Sequence, residues 1–360
     1  MPKKRLRDYG FTVGQLPPGR KNSITDIPGV RVGHVTLHKE NGQCTGVTAI
    51  LPHTGNLFRE KVVAATHVIN GFGKTTGLIQ VNELGTIESP IMLTNTFSVP
   101  AVTEGTLRYL MAGDEGIGDG AGSVNIVVGE CNDSYLNDMR GLHVSPEHAI
   151  EAIQQAGQNG ENVIEGNVGA GTGMICFGWK GGIGTSSRQI STDHQMYHIG
   201  TLVLTNFGKR EDLTILGVPV GQHLPSPDVP APARDGSIMI IIGTDLPMTA
   251  GQLQRLCKRA ALGLAKTGAI AHHGSGDIII AFSNGNRVPH SPDKDIRDLR
   301  SIAEDGPLVS ECFRAVIDTT EEAILNSLFT AETTCGRFNR IIYALPADQV
   351  IQLLQECKIW

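Results

Sequence analysis

Between Ile238 and Phe282 the chain sets out a strand, a helix and a second strand in close succession. The run Ile238-Met239-Ile240-Ile241-Ile242 is short, apolar and rich in β-branched side chains, as a strand requires. Thr249-Ala250-Gly251-Gln252 then fits a capping box, and Leu253, Leu256, Cys257, Ala260 and Leu264 recur at helical spacing before Gly268 marks the exit. Ile278-Ile279-Ile280-Ala281-Phe282 follows Asp277 as the second strand. A series of this length is most simply a right-handed crossover joining two parallel strands, so both strands begin at the same edge of one sheet. That arrangement brings Ser237, at the mouth of the first strand, toward Ser275-Gly276-Asp277, at the mouth of the second. The expectation is one site made of two hydroxyls and a carboxylate.

The rest of the chain reads as mixed α/β. Gly46-Val47-Thr48-Ala49-Ile50-Leu51, Ile91-Met92-Leu93-Thr94, Val124-Asn125-Ile126-Val127-Val128 and Thr201-Leu202-Val203-Leu204-Thr205 are expected strands. Helices are expected around Val102 to Met111 and from Pro146 to Ala156, the latter capped by Ser145. Two packing helices close the chain: Thr319-Thr320-Glu321-Glu322 reads as a capping box before Ala323, Ile324 and Leu328, and Pro346 as a first-turn residue before Val350, Leu353 and Leu354. The 44 glycines and 5% aromatic content point to many tight turns and close backbone approaches.

At 360 residues the chain has ample material for one large or two ordinary domains. A formal net charge of -6 leaves no electrostatic footprint for nucleic acid. The basic cluster Lys3-Lys4-Arg5 with Arg7 is read as a solvated, frayed end. No apolar h-region follows the start, and no stretch reaches the roughly 18 apolar residues of a membrane span, so neither secretion nor a membrane is expected. Cys44, Cys131, Cys176, Cys257, Cys312, Cys335 and Cys357 are scattered and never spaced as CxxC; a reduced, cytoplasmic compartment with these thiols as small core residues fits them.

Several motifs fall short of the patterns they suggest. Lys74-Thr75 resembles the tail of a P-loop, but Val68 stands where the leading glycine belongs. Gly166-Asn167-Val168-Gly169-Ala170-Gly171-Thr172-Gly173 lacks the full dinucleotide fingerprint, so no cofactor is expected. The histidines His34/His38, His194/His198 and His272-His273 have no partners at ligand spacing and are read as structural, with His273 close enough to Ser275 to touch the site; no metal is expected. Neither Gly122-Ser123 nor Gly274-Ser275-Gly276 makes a GxSxG elbow.

The stretch from 222 to 236 holds Pro225, Pro227, Pro230 and Pro232 and reads as an exposed connector. It ends on Gly236-Ser237. A serine there has two uses: it can attack the carbonyl before it, cutting its own chain, and then use the freed α-amino group as a base. An ordinary serine at a strand start is the plain alternative. Against it stand the connector, the glycine that admits close attack, and the Ser275/Asp277 pair downstream.

From about residue 7 onward the chain resembles the family of L-aminopeptidase/D-esterases and β-aminopeptidases of the DmpA type. The resemblance rests on Asn22-Ser23-Ile24-Thr25-Asp26, Gly29-Val30-Arg31-Val32-Gly33, Thr45 to Pro52, Thr94-Asn95-Thr96, Leu136-Asn137-Asp138, Glu165-Gly166-Asn167, Gly171-Thr172-Gly173-Met174 and Gly217 to His223. Gly236-Ser237, Thr244-Asp245-Leu246-Pro247 and Ser275-Gly276-Asp277 complete it. It implies a four-layered αββα sandwich, cut by itself between Gly236 and Ser237 into segments 1–236 and 237–360 that stay associated, commonly as a tetramer of such units. It further implies Ser237 as nucleophile, Ser275 and Asp277 as its partners, and Asn206 as an oxyanion donor. The substrate would be a small peptide, amide or ester, of D- or β-amino acids among others, and no cofactor is implied. Where relatives often carry a tyrosine after Glu-Thr, this chain has Glu130-Cys131-Asn132, with Tyr135 three residues on, so Asn132 and Tyr135 are both candidates for the second oxyanion donor. Two other readings stay open: an acyltransferase of the ornithine acetyltransferase type, against which Ser237 in place of threonine argues, and an uncleaved, non-enzymatic relative.

Overall fold

In chain order the strands are β1 (Arg31–Lys39), β2 (Gln43–Leu51), β3 (Glu60–Gly71), β4 (Thr86–Ile87), β5 (Ile91–Asn95), β6 (Val127–Cys131), β7 (Ile175–Cys176), β8 (Trp179–Lys180), β9 (Ile183–Ser191), β10 (Met196–Asn206), β11 (Ser237–Thr244), β12 (Gly276–Pro289), β13 (Thr334–Cys335) and β14 (Ile341–Ile342). The helices are α1 (Leu78–Leu84), α2 (Val99–Gly113), α3 (Pro146–Asn159), α4 (Ala250–Lys266), α5 (Pro307–Phe329) and α6 (Ala347–Glu356). The computed structural model describes residues 4–39, 42–193, 195–225, 236–291 and 294–357; most of the proline-rich connector, and His194, lie outside these.

Two sheets carry the fold, one in the order β1-β2-β5-β6 and one in the order β4-β3-β12-β11-β10-β9. Strand β11 shows why they stack. Its side chains alternate in direction, so Ile238, Ile240 and Ile242 join Leu253 and Leu256 of α4 and Val316, Ile324 and Leu328 of α5 in one apolar cluster. Met239 and Ile241 point the other way, into a cluster with Ile50, Leu93 and Val127 of the first sheet. On that sheet's far side, Val47, Ala49, Met92 and Val128 pack against Val102 and Leu110 of α2 and Ala149, Ala152 and Ile153 of α3. The layers run helix, sheet, sheet, helix, which is the αββα sandwich implied by the resemblance.

The expected crossover is present as parallel neighbours: β11 pairs with β12, with α4 between them in the chain, and Ser237 stands opposite Gly276. Helix α4 starts as its capping box predicts, the Gln252 amide donating to Thr249 Oγ1 and the Thr249 amide to Gln252 Oε1, each at 3.1 Å. Gly268 follows it with φ 93°, a left-handed turn suited to glycine. Strand β6 begins at Val127, later than the Val124 expected, because the Asn125 amide is turned away to donate to Glu88 Oε1 at 2.8 Å.

Three expectations are corrected. Thr319-Thr320-Glu321-Glu322 does not open a helix; it lies buried in the middle of α5, which starts at Pro307 after Gly306. The polar run faces polar strands instead: Thr319 Oγ1 lies 2.7 Å from Thr201 Oγ1, and Glu322 pairs with the fully buried Arg188 at 2.6 Å. Arg5 and Arg7 are not a frayed end, because Arg5 pairs with Glu165 at 2.6 Å and Arg7 with Glu322. Finally, Cys335 and Cys357 are exposed, while the other five cysteines are buried in the core as expected.

Candidate active site

Ser237 is the first residue of β11 and is buried between two neighbouring strands, opposite Asn206 of β10 and Gly276 of β12. The period of two puts Ser237 on the face of Met239 and Ile241, and Asn206 on that of Leu202 and Leu204. Both therefore stand at the end of the seam between the two sheets. The Gly276 amide donates to Ser237 Oγ at 3.2 Å, fixing a main-chain dipole on the hydroxyl oxygen.

Ser275 and Asp277 flank Gly276 and are both buried. Ser275 Oγ donates to Asp277 Oδ1 at 2.7 Å. Burial pushes the Asp277 carboxyl up to about 6; the Ser275 hydrogen bond and the nearby His272 pull against that rise. Its Oδ2 is buried without a hydrogen-bond partner among the described residues. A buried acceptor of this kind is available to a donor that arrives with the reaction, such as an ammonium group.

The Asn206 side chain is clamped at both ends by main chain. Its Oδ1 accepts from the Ile175 amide at 2.9 Å, and its Nδ2 donates to the Asn132 carbonyl at 3.0 Å. This fixes which end of the amide is which. The second Nδ2 hydrogen is engaged by none of the described residues. The loop that supplies Ile175 is pinned by Lys180, whose buried Nζ donates to the carbonyls of Gly171, Met174 and Gly181 at 3.0, 2.7 and 2.8 Å.

Asn132 thus meets Asn206 through its carbonyl, while its own side-chain oxygen accepts from the Ser134 amide at 2.9 Å. Tyr135 packs beside Cys44, Leu136, Ile175 and Ile342, with the Arg340 guanidinium 4.9 Å from its ring centre. Glu130, next to this turn, accepts from the Lys74 amide at 2.7 Å and from Thr96 Oγ1, so the glycine-rich turn at Lys74 is tied to the strand carrying the turn.

Burial holds His34 down to about 4, with Nδ1 3.0 Å from Thr48 Oγ1. His38 Nε2 lies 3.0 Å from the Cys335 carbonyl, and His198 Nδ1 lies 3.9 Å from Asp245. His273 is exposed, its ring centre 6.4 Å from that of Phe72, and it is His272 whose charge bears on Asp277. Among the described residues no three His, Cys, Asp or Glu side chains are placed to hold a metal ion, and no helix is long and apolar enough to cross a membrane. The groups that sequence reasoning missed are the Gly276 and Ile175 amides and the Asn132 carbonyl, main-chain groups that no residue type announces.

Residues 22–342 match the model of peptidase family S58. The beta-peptidyl aminopeptidase BapA of Sphingosinicella microcystinivorans is 38% identical over 98% of this chain and 92% of its own. A Burkholderia sp. beta-aminopeptidase of solved structure is 39% identical with a TM-score of 0.90, covering 98% of this chain and 99% of that one. The L-aminopeptidase D-Ala-esterase/amidase of Ochrobactrum anthropi, described as a prototype for the serine aminopeptidases and a variant of the Ntn hydrolase fold, superposes with a TM-score of 0.91 at 34% identity over 99% of both chains. A Pyrococcus horikoshii OT3 protein of known structure is 48% identical with a TM-score of 0.93, over 99% of this chain and 100% of that one. The chain accordingly belongs to peptidase family S58 and is a serine aminopeptidase on an N-terminal nucleophile hydrolase fold.

Proposed function

We propose that the chain cuts itself between Gly236 and Ser237 and then uses Ser237 as an N-terminal nucleophile to release amino-terminal residues from short peptides, amides or esters. The observation that carries this is the setting of Ser237 between Asn206 and Gly276, with the Gly276 amide on its Oγ and the hydrogen-bonded Ser275 and Asp277 on either side of Gly276 in the chain. In the precursor, Ser237 Oγ attacks the Gly236 carbonyl carbon. The C–N bond breaks, the hydroxyl proton ends on the Ser237 nitrogen, and the resulting ester is hydrolysed by water to the Gly236 carboxylate and a free Ser237. The new α-amine has an ordinary pKa of about 7.7 to 8.0, so part of it is neutral near pH 7 and serves as the base.

In turnover that amine takes the Ser237 hydroxyl proton as Oγ attacks the substrate carbonyl and returns it to the leaving amine. The second Asn206 Nδ2 hydrogen, which no described residue engages, stabilises the oxyanion; loss of one such donor raises a barrier by roughly 2.7 to 4 kcal/mol. Ser275 and Asp277 orient the amine, and Asp277 also accepts the free amino group of the substrate. Asn132 and Tyr135 remain the candidates for a second oxyanion contact, with the Asn132 carbonyl acting through Asn206. β-Amino acid substrates are included in this reading because relatives above one-third identity are named beta-peptidyl aminopeptidase or beta-aminopeptidase. A cytoplasmic setting suits the seven free thiols, and units of the two associated segments, 1–236 and 237–360, assemble as tetramers.

Denaturing electrophoresis of the purified protein tests the reading. We expect two bands, roughly two-thirds and one-third of the 38.4 kDa chain. Ser237→Ala should remain whole and inactive. An intact single chain that hydrolyses amino-acid p-nitroanilides would sink the mechanism, and a panel of L-, D- and β-amino acid amides reads out the preference.

A further inference from the structure

We infer that Asn70 is a positioning residue of this site, whose side-chain amide is the template that sets Ser275 against Asp277. The inference rests on the proposed role of Ser275 and Asp277. Strand β3 runs antiparallel to β12, with Gly71 opposite Gly276 and Asn70 opposite Asp277, but the next pair is Val68 with Ile278. One extra residue on β3 makes a bulge there, and a bulge re-aims the side chains beside it. The Asn70 side chain turns under the loop that enters β12. Its Nδ2 lies 3.0 Å from the His272 carbonyl, 2.9 Å from that of His273 and 2.6 Å from that of Ser275.

Two hydrogens serving three carbonyl oxygens fix the whole loop rather than one residue. That loop needs fixing: Ala271 has φ 50°, a left-handed conformation unfavourable for a residue with a β-carbon. The main chain of Ser275 is held on both sides, its amide donating to the His272 carbonyl at 2.8 Å and its carbonyl accepting from the Phe72 amide at 3.3 Å as well as from Asn70. With the backbone clamped, the Ser275 side chain meets Asp277 Oδ1 directly. The hydrogen bonds of the Asn70 side chain go to the loop's carbonyls rather than to the Ser237 or Asp277 side chain, so Asn70 acts through the loop.

The test uses the full chain with Asn70→Ala and Asn70→Asp. The measurements are the rate of self-cleavage, kcat and KM of the processed enzyme for an amino-acid p-nitroanilide, and the thermal midpoint. Because small misplacements at a reacting centre can cost on the order of 100-fold, we expect kcat to fall about 10- to 100-fold with KM changed less than about threefold. Asn70→Asp should be the worse of the two, since its carboxylate faces three carbonyl oxygens. A folded Asn70→Ala enzyme with kcat within twofold of wild type, or with KM raised and kcat unchanged, overturns the inference. Failure of both variants to fold assigns Asn70 to the fold rather than the site and overturns it equally. Ser237→Ala, assayed alongside, separates the two claims. If it still turns over, the nucleophile reading itself falls; if it is dead while both Asn70 variants match wild type, only the role of Asn70 is lost.

Discussion

A β-carbon at position 236 would lie 1.7 Å from the Asn206 carbonyl oxygen and 2.6 Å from Phe207 Cα, both main-chain atoms that cannot swing aside. Only glycine lets the bond before Ser237 lie against β10, so Gly236→Ala should leave a single uncut 38.4 kDa band on denaturing gels. Cleavage at the wild-type rate would show that the bond is attacked from some other pose. At the same scale Asp277 sets a pH limit. Its carboxyl is raised to about 6 by burial and sensed across the seam by Cys131 of β6, and in the proposed mechanism it must be ionised to orient the α-amine. Hence kcat/KM should fall as pH drops through that value, below the separate rise as the amine loses its proton. Ser275→Ala removes the hydrogen bond that favours ionisation, so the acid limb should move to higher pH; a limb that stays put assigns it to another group. Ser237, Ser275 and Asp277 were legible as neighbours because a strand, a helix and a strand leave few ways to arrange themselves. Asn206 was not, since an asparagine ending a strand looks like any other, and only the resemblance marked it.

Two loops converge on Asn206, and each is anchored by a buried ionisable group. In the turn after β6, Asp133 Oδ1 accepts from Asn137 Nδ2 at 3.0 Å, and the Asp133 carbonyl accepts from the Leu136 and Asn137 amides. Burial pushes the Asp133 carboxyl up to about 7 from its usual 3.8, so the folded protein holds that proton more tightly than the unfolded chain does. The stability this adds is present at low pH and is lost as pH rises from 3.8 toward 7. The thermal midpoint should therefore be higher at mildly acidic pH than at alkaline pH, by a few degrees for a chain of this size. Asp133→Asn mimics the protonated form and should flatten that dependence; an unchanged slope would place the titration elsewhere. The misplaced start of α5 has a related cause. Thr319 to Glu322 matches a capping box by spacing, yet the same spacing serves a helix interior whose polar face meets Thr185, Ser186, Ser187 and Arg188 of β9. A buried polar face has no signature in one element alone, because it exists only when helix and strand are placed together.

The position of the proposed cut within the whole molecule explains how two segments, once formed, would remain one body. In the six-stranded sheet, β11 and β12 come from residues beyond 236, while β10 and β9 on one side and β3 and β4 on the other come from residues before it. Cleavage there would remove one covalent bond and leave the central strands hydrogen-bonded on both flanks. Behind the sheet, Glu322 of α5 accepts from Arg188 at 2.6 Å, from Asn22 Nδ2 at 2.8 Å and from Arg7, three partners that all precede the cut. Arg188 is fully buried, and Asp318, at 4.0 Å, is the next carboxylate. Glu322→Ala would leave that guanidinium poorly compensated, a change that typically costs about 3 to 5 kcal/mol. The variant should still be cut, since Glu322 stands on the helix layer and not at the seam end. Its thermal midpoint should fall by several degrees, and its two segments should separate at lower denaturant than those of the wild type when followed by size-exclusion chromatography. Co-elution to the same denaturant concentration would mean that the strand pairing alone holds the segments together.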